Sequence, residues 1–272
     1  MTDERLQSEE AIIHTFLEPL AAGYPGAFGL RDDCAAITPP PGTDLVVKTD
    51  PVRAGIHFLP DDPPADIAWK ALAVNVSDLV AKGASPHVYL MALSFPEAPH
   101  RDWLTAFANG LGEAQAAFGC QLIGGDTDRA PGPLSIDMTV IGTVPQGSMI
   151  RRAAAKAGDI VFVSGTIGDA GIGLLLRSGD AVAACWPLDP ASRTALIRRT
   201  DRALALLRPR VDGLVGWPDQ GPRPHVPGVR SRCRYRTPES AAERCGQSRR
   251  GGRAGLGTAC RGRRRRLRSA VH

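Results

Sequence analysis

Gly124-Gly125-Asp126-Thr127-Asp128 follows the short apolar run Gln121-Leu122-Ile123 and so sets two carboxylates on a glycine turn at the end of a predicted strand. Three other short acidic clusters precede it: Arg31-Asp32-Asp33, Lys48-Thr49-Asp50-Pro51 and Asn75-Val76-Ser77-Asp78. Carboxylate oxygens are hard donors, and magnesium usually takes one or two of them per ion alongside water and phosphate oxygens. Asp33, Asp50, Asp78 and Asp126 together therefore point to several divalent ions arranged around a polyphosphate, which is the chemistry of phosphoryl transfer. Acidic residues also collect at loops and helix caps for structural reasons, so no single cluster carries a function.

The elements that must position these groups follow from periodicity. Residues 10–20 have helical spacing and stop at Pro19. Leu45-Val46-Val47-Lys48-Thr49 reads as a strand that ends at Asp50-Pro51, because proline disfavours helix in the residue before it. A proline-rich loop over 60–64 leads to Asp66 as the N-cap of a helix running to Gly83. On that helix Asn75, Asp78 and Lys82 form one polar stripe while Ile67, Ala71, Leu72, Leu79 and Val80 face a core, so Asp78 points out of the packing. Residues 88–93 read as a buried strand, and Trp103, Phe107, Leu111, Ala114 and Phe118 mark an amphipathic helix. Leu134, Ile136, Met138 and Val140 alternate with Ser135, Asp137 and Thr139 as a half-exposed strand. The order strand, helix, strand, helix, strand, strand predicts a compact α/β (α+β) layer sandwich of the split βαβ kind. A turn at Lys156-Ala157-Gly158-Asp159 then precedes a second apolar run over 160–163, and a second domain is expected to begin near Ser148. The glycines that follow, Gly165 and Gly168, read as strand-to-helix punctuation, since no lysine completes a phosphate-binding loop.

A chain of 272 residues accommodates two domains. The polar, acidic N-terminus has no apolar leader, and nowhere do about 18 uncharged apolar residues run together, so a cytoplasmic protein without a membrane span is expected. Cys34, Cys120, Cys185, Cys233, Cys245 and Cys260 show no zinc spacing and read as scattered reduced thiols. The net charge of +5 conceals an asymmetry: residues 211–272 hold 15 arginines, no lysine and four acids, a net of +11, which leaves −6 for residues 1–210. The arginine-rich tail lacks apolar periodicity and reads as disordered. An all-arginine composition favours translation outside the proper reading frame over a nucleic-acid-binding arm, so a nucleic-acid partner is the alternative and not the expectation.

Five stretches, taken in order, resemble the thiamine-monophosphate kinase family, within the superfamily that includes aminoimidazole ribonucleotide synthetase, selenophosphate synthetase and the hydrogenase maturation dehydratase. They are Asp32-Asp33-Cys34-Ala35; Thr49-Asp50 followed by Ala54-Gly55-Ile56-His57-Phe58-Leu59-Pro60; Lys70-Ala71-Leu72-Ala73-Val74-Asn75-Val76-Ser77-Asp78-Leu79 with Lys82-Gly83-Ala84; Gly124-Gly125-Asp126-Thr127; and Arg152 ahead of Lys156-Ala157-Gly158-Asp159. The resemblance spans residues 28–210 and implies a two-domain aminoimidazole-ribonucleotide-synthetase-like fold. Its parts would be an N-terminal ATP- and magnesium-binding domain over 1–147, the start of a C-terminal domain over 148–210, and an aberrant tail over 211–272. By the same resemblance Asp33, Thr49, Asp50, Asp78 and Asp126 would hold magnesium on the ATP phosphates. Gly125, Asp126 and Arg152 would bind ATP, and His57 would face thiamine phosphate. The implied reaction is transfer of the γ-phosphoryl group of ATP to thiamine phosphate, giving thiamine diphosphate, in a homodimer paired through its N-terminal domains. No general base is assigned, because the acceptor is already an anionic phosphate oxygen.

The chain also departs from the family pattern. Lys48 stands where a small hydroxyl residue is more usual, and Arg31 where a small residue is. After Arg210 the family's Asp-x-Ser-Asp-Gly and Gly-Gly-Glu-Asp-Tyr segments are missing, so the expectation is a truncated second domain and impaired turnover. A selenophosphate-synthetase-like enzyme is the alternative within the superfamily, and the absence of an early catalytic cysteine opposes it.

Overall fold

A computed structural model describes residues 5–6, 8–154 and 167–201. The expected arginine-rich tail, and the segment from Lys156 through the second apolar run to Gly165, lie outside the described residues.

The chain opens with α1 (Glu9–Ile12) and α2 (Glu18–Ala21), joined by a π-turn (Ile13–Leu17), and then a 3₁₀ turn (Pro25–Leu30). The expected stop at Pro19 does not occur: the helix re-forms after the π-turn with Pro19 in the first turn of α2, where its missing N–H is tolerated. β1 (Thr43–Arg53), α3 (Pro64–Val80), β2 (Ser85–Phe95), α4 (Arg101–Phe118), β3 (Gln121–Arg129) and β4 (Ser135–Pro145) follow in the predicted order. Three further helices, α5 (Asp169–Arg177), α6 (Ala181–Ala184) and α7 (Pro190–Asp201), complete the described chain. Gly168 heads α5, and Arg177 reaches Asp62 at 2.8 Å in the loop before α3.

The strands form one mixed sheet in the order β1-β4-β2-β3. β4 runs antiparallel to both neighbours, while β2 and β3 are parallel across α4. β1 and β2 are thus also mutually parallel, with β4 inserted between them, which is the split βαβ arrangement expected of the sequence. β1 lies at one edge and carries Pro51, which has no N–H to donate to a ladder and is tolerated there.

The helices α3 and α4 cover one face of the sheet. Val46, Val52, Tyr89, Met91, Leu93, Ile136, Met138 and Val140 from the strands meet Ile67, Leu72, Val76, Leu79, Leu104, Phe107 and Leu111 from the helices in one core. Leu72 and Leu79 are fully buried, and each such side chain contributes about 1.5–3 kcal/mol through removal from water. The opposite face is covered only in part, by a smaller cluster of Ala21, Ala27, Val88, Ile123 and Ile141. Gln115 joins these parts: its Oε1 accepts from the Tyr89 hydroxyl (2.8 Å) and the Leu122 N–H (3.0 Å), and its Nε2 donates to the Leu20 carbonyl (3.0 Å).

Three local expectations need correction. Pro63, not Asp66, occupies the N-cap of α3, with Pro64 opening the helix and Asp66 in its first turn, where a carboxylate complements the helix dipole. Asn75 does not share an exposed stripe with Asp78: it is 0% exposed, and its Nδ2 donates to the Ala71 carbonyl one turn back. Gly124-Gly125-Asp126-Thr127-Asp128 is not a turn but the body of β3, whose pairing with β2 shifts register between Tyr89 and Leu90. Among the described residues no helix is long and apolar enough to cross a membrane.

Cys120, just before β3, is buried, and burial pushes its thiol from 9.0 up to about 12. The unfolded thiol therefore loses its proton first, so stability falls as pH rises from 9.0 towards 12, by up to about 1.4 kcal/mol per pH unit. Cys120→Ala removes this contribution and is expected to flatten the dependence of urea-unfolding free energy on pH above pH ~9. Parallel profiles for the two proteins would show that the thiol is not protected.

Candidate functional site

Alternation along the strands decides which acidic groups can meet. Val46 and Val52 of β1 face the helices, so Lys48 and Asp50 share that side, while Leu45, Val47, Thr49 and Pro51 face the opposite, open side. On the open face the register sets Pro51 beside Asp137, Asp137 beside Ala92, and Ala92 beside Asp126. With neighbouring strands roughly 4.8 Å apart, Asp126 and Asp137 stand about 10 Å from each other across the small Ala92 side chain. One pleat along, Thr139 Oγ1 donates to Thr49 Oγ1 at 3.0 Å.

Local contacts fix these groups. Gly125 has φ +154°, and a Cβ there would lie 1.8 Å from the Met91 carbonyl oxygen, so only glycine allows β3 to approach β2 this closely. The neighbouring Asp126 accepts the Thr127 N–H through Oδ1 at 2.8 Å. Arg53 Nε donates to Ser135 Oγ (3.3 Å), whose hydroxyl donates in turn to Asp137 Oδ2 (2.8 Å).

The loop bearing Asp32 and Asp33 is anchored by the Ala36 N–H donating to the Gly26 carbonyl at 2.8 Å. A Cβ at Gly26 would fall 2.1 Å from the Ala36 oxygen. Arg31 and His14 both pair with Glu18, at 3.1 and 2.8 Å. The His14 hydrogen bond, with Arg31 assisting and some burial opposing, holds the Glu18 carboxyl below its usual value.

The loop bearing Asp32 and Asp33, the N-terminal helices and strands β2, β3 and β4 line one groove of about 1400 Å³, large enough for a nucleotide. Asp33, Gly125, Asp126, Asp137 and Thr139 all border it. Its rim carries Glu9, Glu10, Glu18, Asp32, Asp33, Asp126 and Asp137 against the single arginine Arg31. So many carboxylates repel a bare polyphosphate; entry requires cations that bridge the two.

Asp50 and Asp78 lie elsewhere. On the helix side of β1 their carboxylates flank Lys48, whose Nζ sits 2.7 Å from Asp50 Oδ2 and 2.9 Å from Asp78 Oδ2. Asp78 does point out of the packing, with 55% of its side chain exposed. Partial burial pushes the Lys48 pKa down, but hydrogen bonds and charge from Asp50 and Asp78 outweigh it and hold the ammonium above its usual value. His57 lies in the tight loop after β1, exposed, with its Nδ1 accepting the Arg53 N–H at 3.0 Å. Arg152 is exposed in the turn after β4 and does not line the groove.

The predicted residues thus separate into an open-face set (Asp33, Thr49, Gly125, Asp126), a helix-face pair (Asp50, Asp78) and two outlying positions (His57, Arg152). Among the described residues no group of three or more His, Cys, Asp or Glu side chains is preassembled around one ion. Asp137 and Thr139 were missed as site residues. The alternation over 134–140 marked them as the polar face of a strand, a pattern that fits solvent as well as ligand.

Residues 31–144 match the family described as AIR synthase related protein, N-terminal domain. The chain is 43% identical over 170 residues to the thiamine-monophosphate kinase of Caulobacter vibrioides, covering 62% of this chain and 48% of that protein. It is similar to the crystal structure of thiamine-monophosphate kinase from Stenotrophomonas maltophilia, with a TM-score of 0.56, 40% identity, and coverage of 65% of this chain and 57% of that one. The structure of AaThiL complexed with AMPPCP and TMP is also similar, with a TM-score of 0.54, 31% identity and coverage of 66% and 60%. The chain spans about half the length of the curated relatives it matches.

Gly125→Ala is expected to lower stability by about 1–3 kcal/mol in urea unfolding, because the new methyl cannot share space with the Met91 carbonyl and no side chain elsewhere need move. An unchanged midpoint would mean that β2 and β3 separate without cost.

Proposed function

We propose that this chain, whose residues 31–144 match the N-terminal domain of the AIR synthase related proteins, binds ATP in its open-face groove and phosphorylates thiamine phosphate to thiamine diphosphate. What supports this reading most is the acidic groove itself: carboxylates and threonine hydroxyls on one rigid sheet face, beside a strand whose backbone is stripped of side chains at Gly124-Gly125. In the related AaThiL structure AMPPCP and TMP are the bound molecules, and they correspond to the two substrates proposed here.

The groove's donors are hard oxygens, which suits magnesium, and Asp33 and Asp126 would hold it there, with Asp137 as an added carboxylate and Thr49 reached from outside the lining through Thr139. Bound magnesium would neutralise phosphate charge and polarise the phosphoryl oxygens. The Asp50–Asp78 pair fits a divalent ion less well, since Lys48 already bridges it. The protein's own contribution is positional. Gly125 lets a phosphate approach the backbone, the Arg53–Ser135–Asp137 chain fixes one carboxylate, and the attacking phosphate oxygen needs no base. The Arg53 N–H can only donate, so His57 Nδ1 is the acceptor and its proton sits on Nε2, directed to a substrate oxygen in this reading. Arg152 would add a positive charge for ATP from outside the groove.

We extend the proposal to a homodimer formed through the open face. Leu45 and Val47 of β1 are 40% and 60% exposed there, beside Thr49. A second copy would cover these apolar side chains and bring further charged groups to the phosphates.

Calorimetric titration with the ATP analogue AMPPCP tests the nucleotide site. Binding is expected with magnesium and not in EDTA, and Asp126→Asn should weaken it about tenfold, a change of about 1.4 kcal/mol. Equal binding in EDTA would overturn the assignment, and a coupled assay with thiamine phosphate tests the transfer itself. For the dimer, Val47→Asp should shift the mass measured by light scattering from two chains to one; a single-chain mass for the unaltered protein removes that part of the proposal.

A further inference from the structure

Lys48 is the only lysine on β1, and two positions along the strand place its side chain on the same face as Asp50. Its stem lies against the sheet with 27% of the side chain exposed, and its ammonium touches one carboxylate from β1 and one from α3. We propose that Lys48 is a tethered cation: it takes the place of a divalent ion between Asp50 and Asp78, so this pair binds no magnesium and the chain uses fewer ions than its carboxylates suggest. The inference rests on reading the acidic residues as cation sites for a polyphosphate, and it changes how one of those sites is filled.

Three observations carry it. The two oxygens stand 2.7 and 2.9 Å from Nζ, the spacing of charge-assisted N–H···O bonds, whereas magnesium holds its oxygens at roughly 2.0–2.1 Å. The carboxylates come from different elements, 28 residues apart in the sequence, so the lysine also clamps α3 to the edge strand. Finally, an ammonium has three N–H donors, and the two carboxylates take two of them. The third is left for water on the helix side of the sheet.

Replacing a mobile ion by a covalently held one has a functional consequence. The charge at this position, and the link it makes between β1 and α3, no longer depends on the magnesium concentration.

The test counts ions on the full chain with manganese alone, read by electron paramagnetic resonance of the free ion. Lys48→Ser should bind one more manganese per chain than the unaltered protein, and Lys48→Arg the same number as the unaltered protein. The added ion should vanish in Lys48→Ser/Asp78→Asn. Equal counts for Lys48→Ser and the unaltered chain overturn the proposal.

A second measurement needs no variant. Amine acylation followed by mass spectrometry should find Lys48 modified more slowly than Lys70 and Lys82, at a rate that saturating magnesium leaves unchanged. Acceleration by magnesium would mean that the ion displaces the lysine, which overturns the proposal. AMPPCP binding measured on the same samples reports separately on the nucleotide reading: its absence with the manganese difference intact removes that reading and leaves Lys48 as the occupant of the pair.

Discussion

In an extended strand successive side chains leave on opposite sides, and at Thr49-Asp50 this rule divides the acidic apparatus in two. Thr49 joins Thr139 on the face that holds the groove, while Asp50 turns under the sheet towards α3 and Asp78. No rotamer change can reverse this, because shifting β1 by one residue would expose Val46 and Val52 and bury Thr49. The hydrophobic core under α3 and α4 therefore determines which carboxylates can cooperate. It also places Lys48 with the helix-side pair and away from the open-face carboxylates.

Charge imposes a second constraint on the same sheet. The groove gathers carboxylates from the N-terminal helices, the loop before β1, and strands β3 and β4. Such a concentration costs free energy through mutual repulsion, and the fold limits that cost by leaving the groups hydrated and by threading a few cations among them. Arg31 pairs with Glu18 at the rim, and Lys48 with the pair below. The remaining carboxylates rest on hydrogen bonds from neighbours such as Ser135 and the Thr127 N–H.

Much of this architecture was legible in the sequence because it depends on local periodicity. The order of strands and helices, the buried faces of α3 and α4 and the outward direction of Asp78 all follow from apolar spacing within a single element. What was not legible depends on a partner distant in the chain. Gly124-Gly125 reads as a turn until the Met91 carbonyl is placed against it, and then glycine is what a straight, crowded strand requires. Asn75 reads as one of a polar stripe, although its side chain is enclosed, with Nδ2 donating one helical turn back and Oδ1 left without a partner among the described residues. Asp137 and Thr139 look like solvent-facing residues until the 3₁₀ turn and the loop before β1 turn that face into a groove wall. Lys48 was visible as a departure from a family pattern, but its two partners became evident only when α3 was laid across β1.

Pro51 gives the edge strand one further property. An exposed edge invites another chain to continue the ladder, and the usual defence is to remove a donor from the outer rim. Proline has no hydrogen on its nitrogen, so a visiting strand would lose a bond near the C-terminal end of β1, next to Asp50 with its charge. Open-ended stacking of sheet upon sheet edge, the geometry of fibrils, is thereby discouraged. The outer rim of β1 is thus protected by the chemistry of one backbone nitrogen, independently of what covers the faces of the sheet.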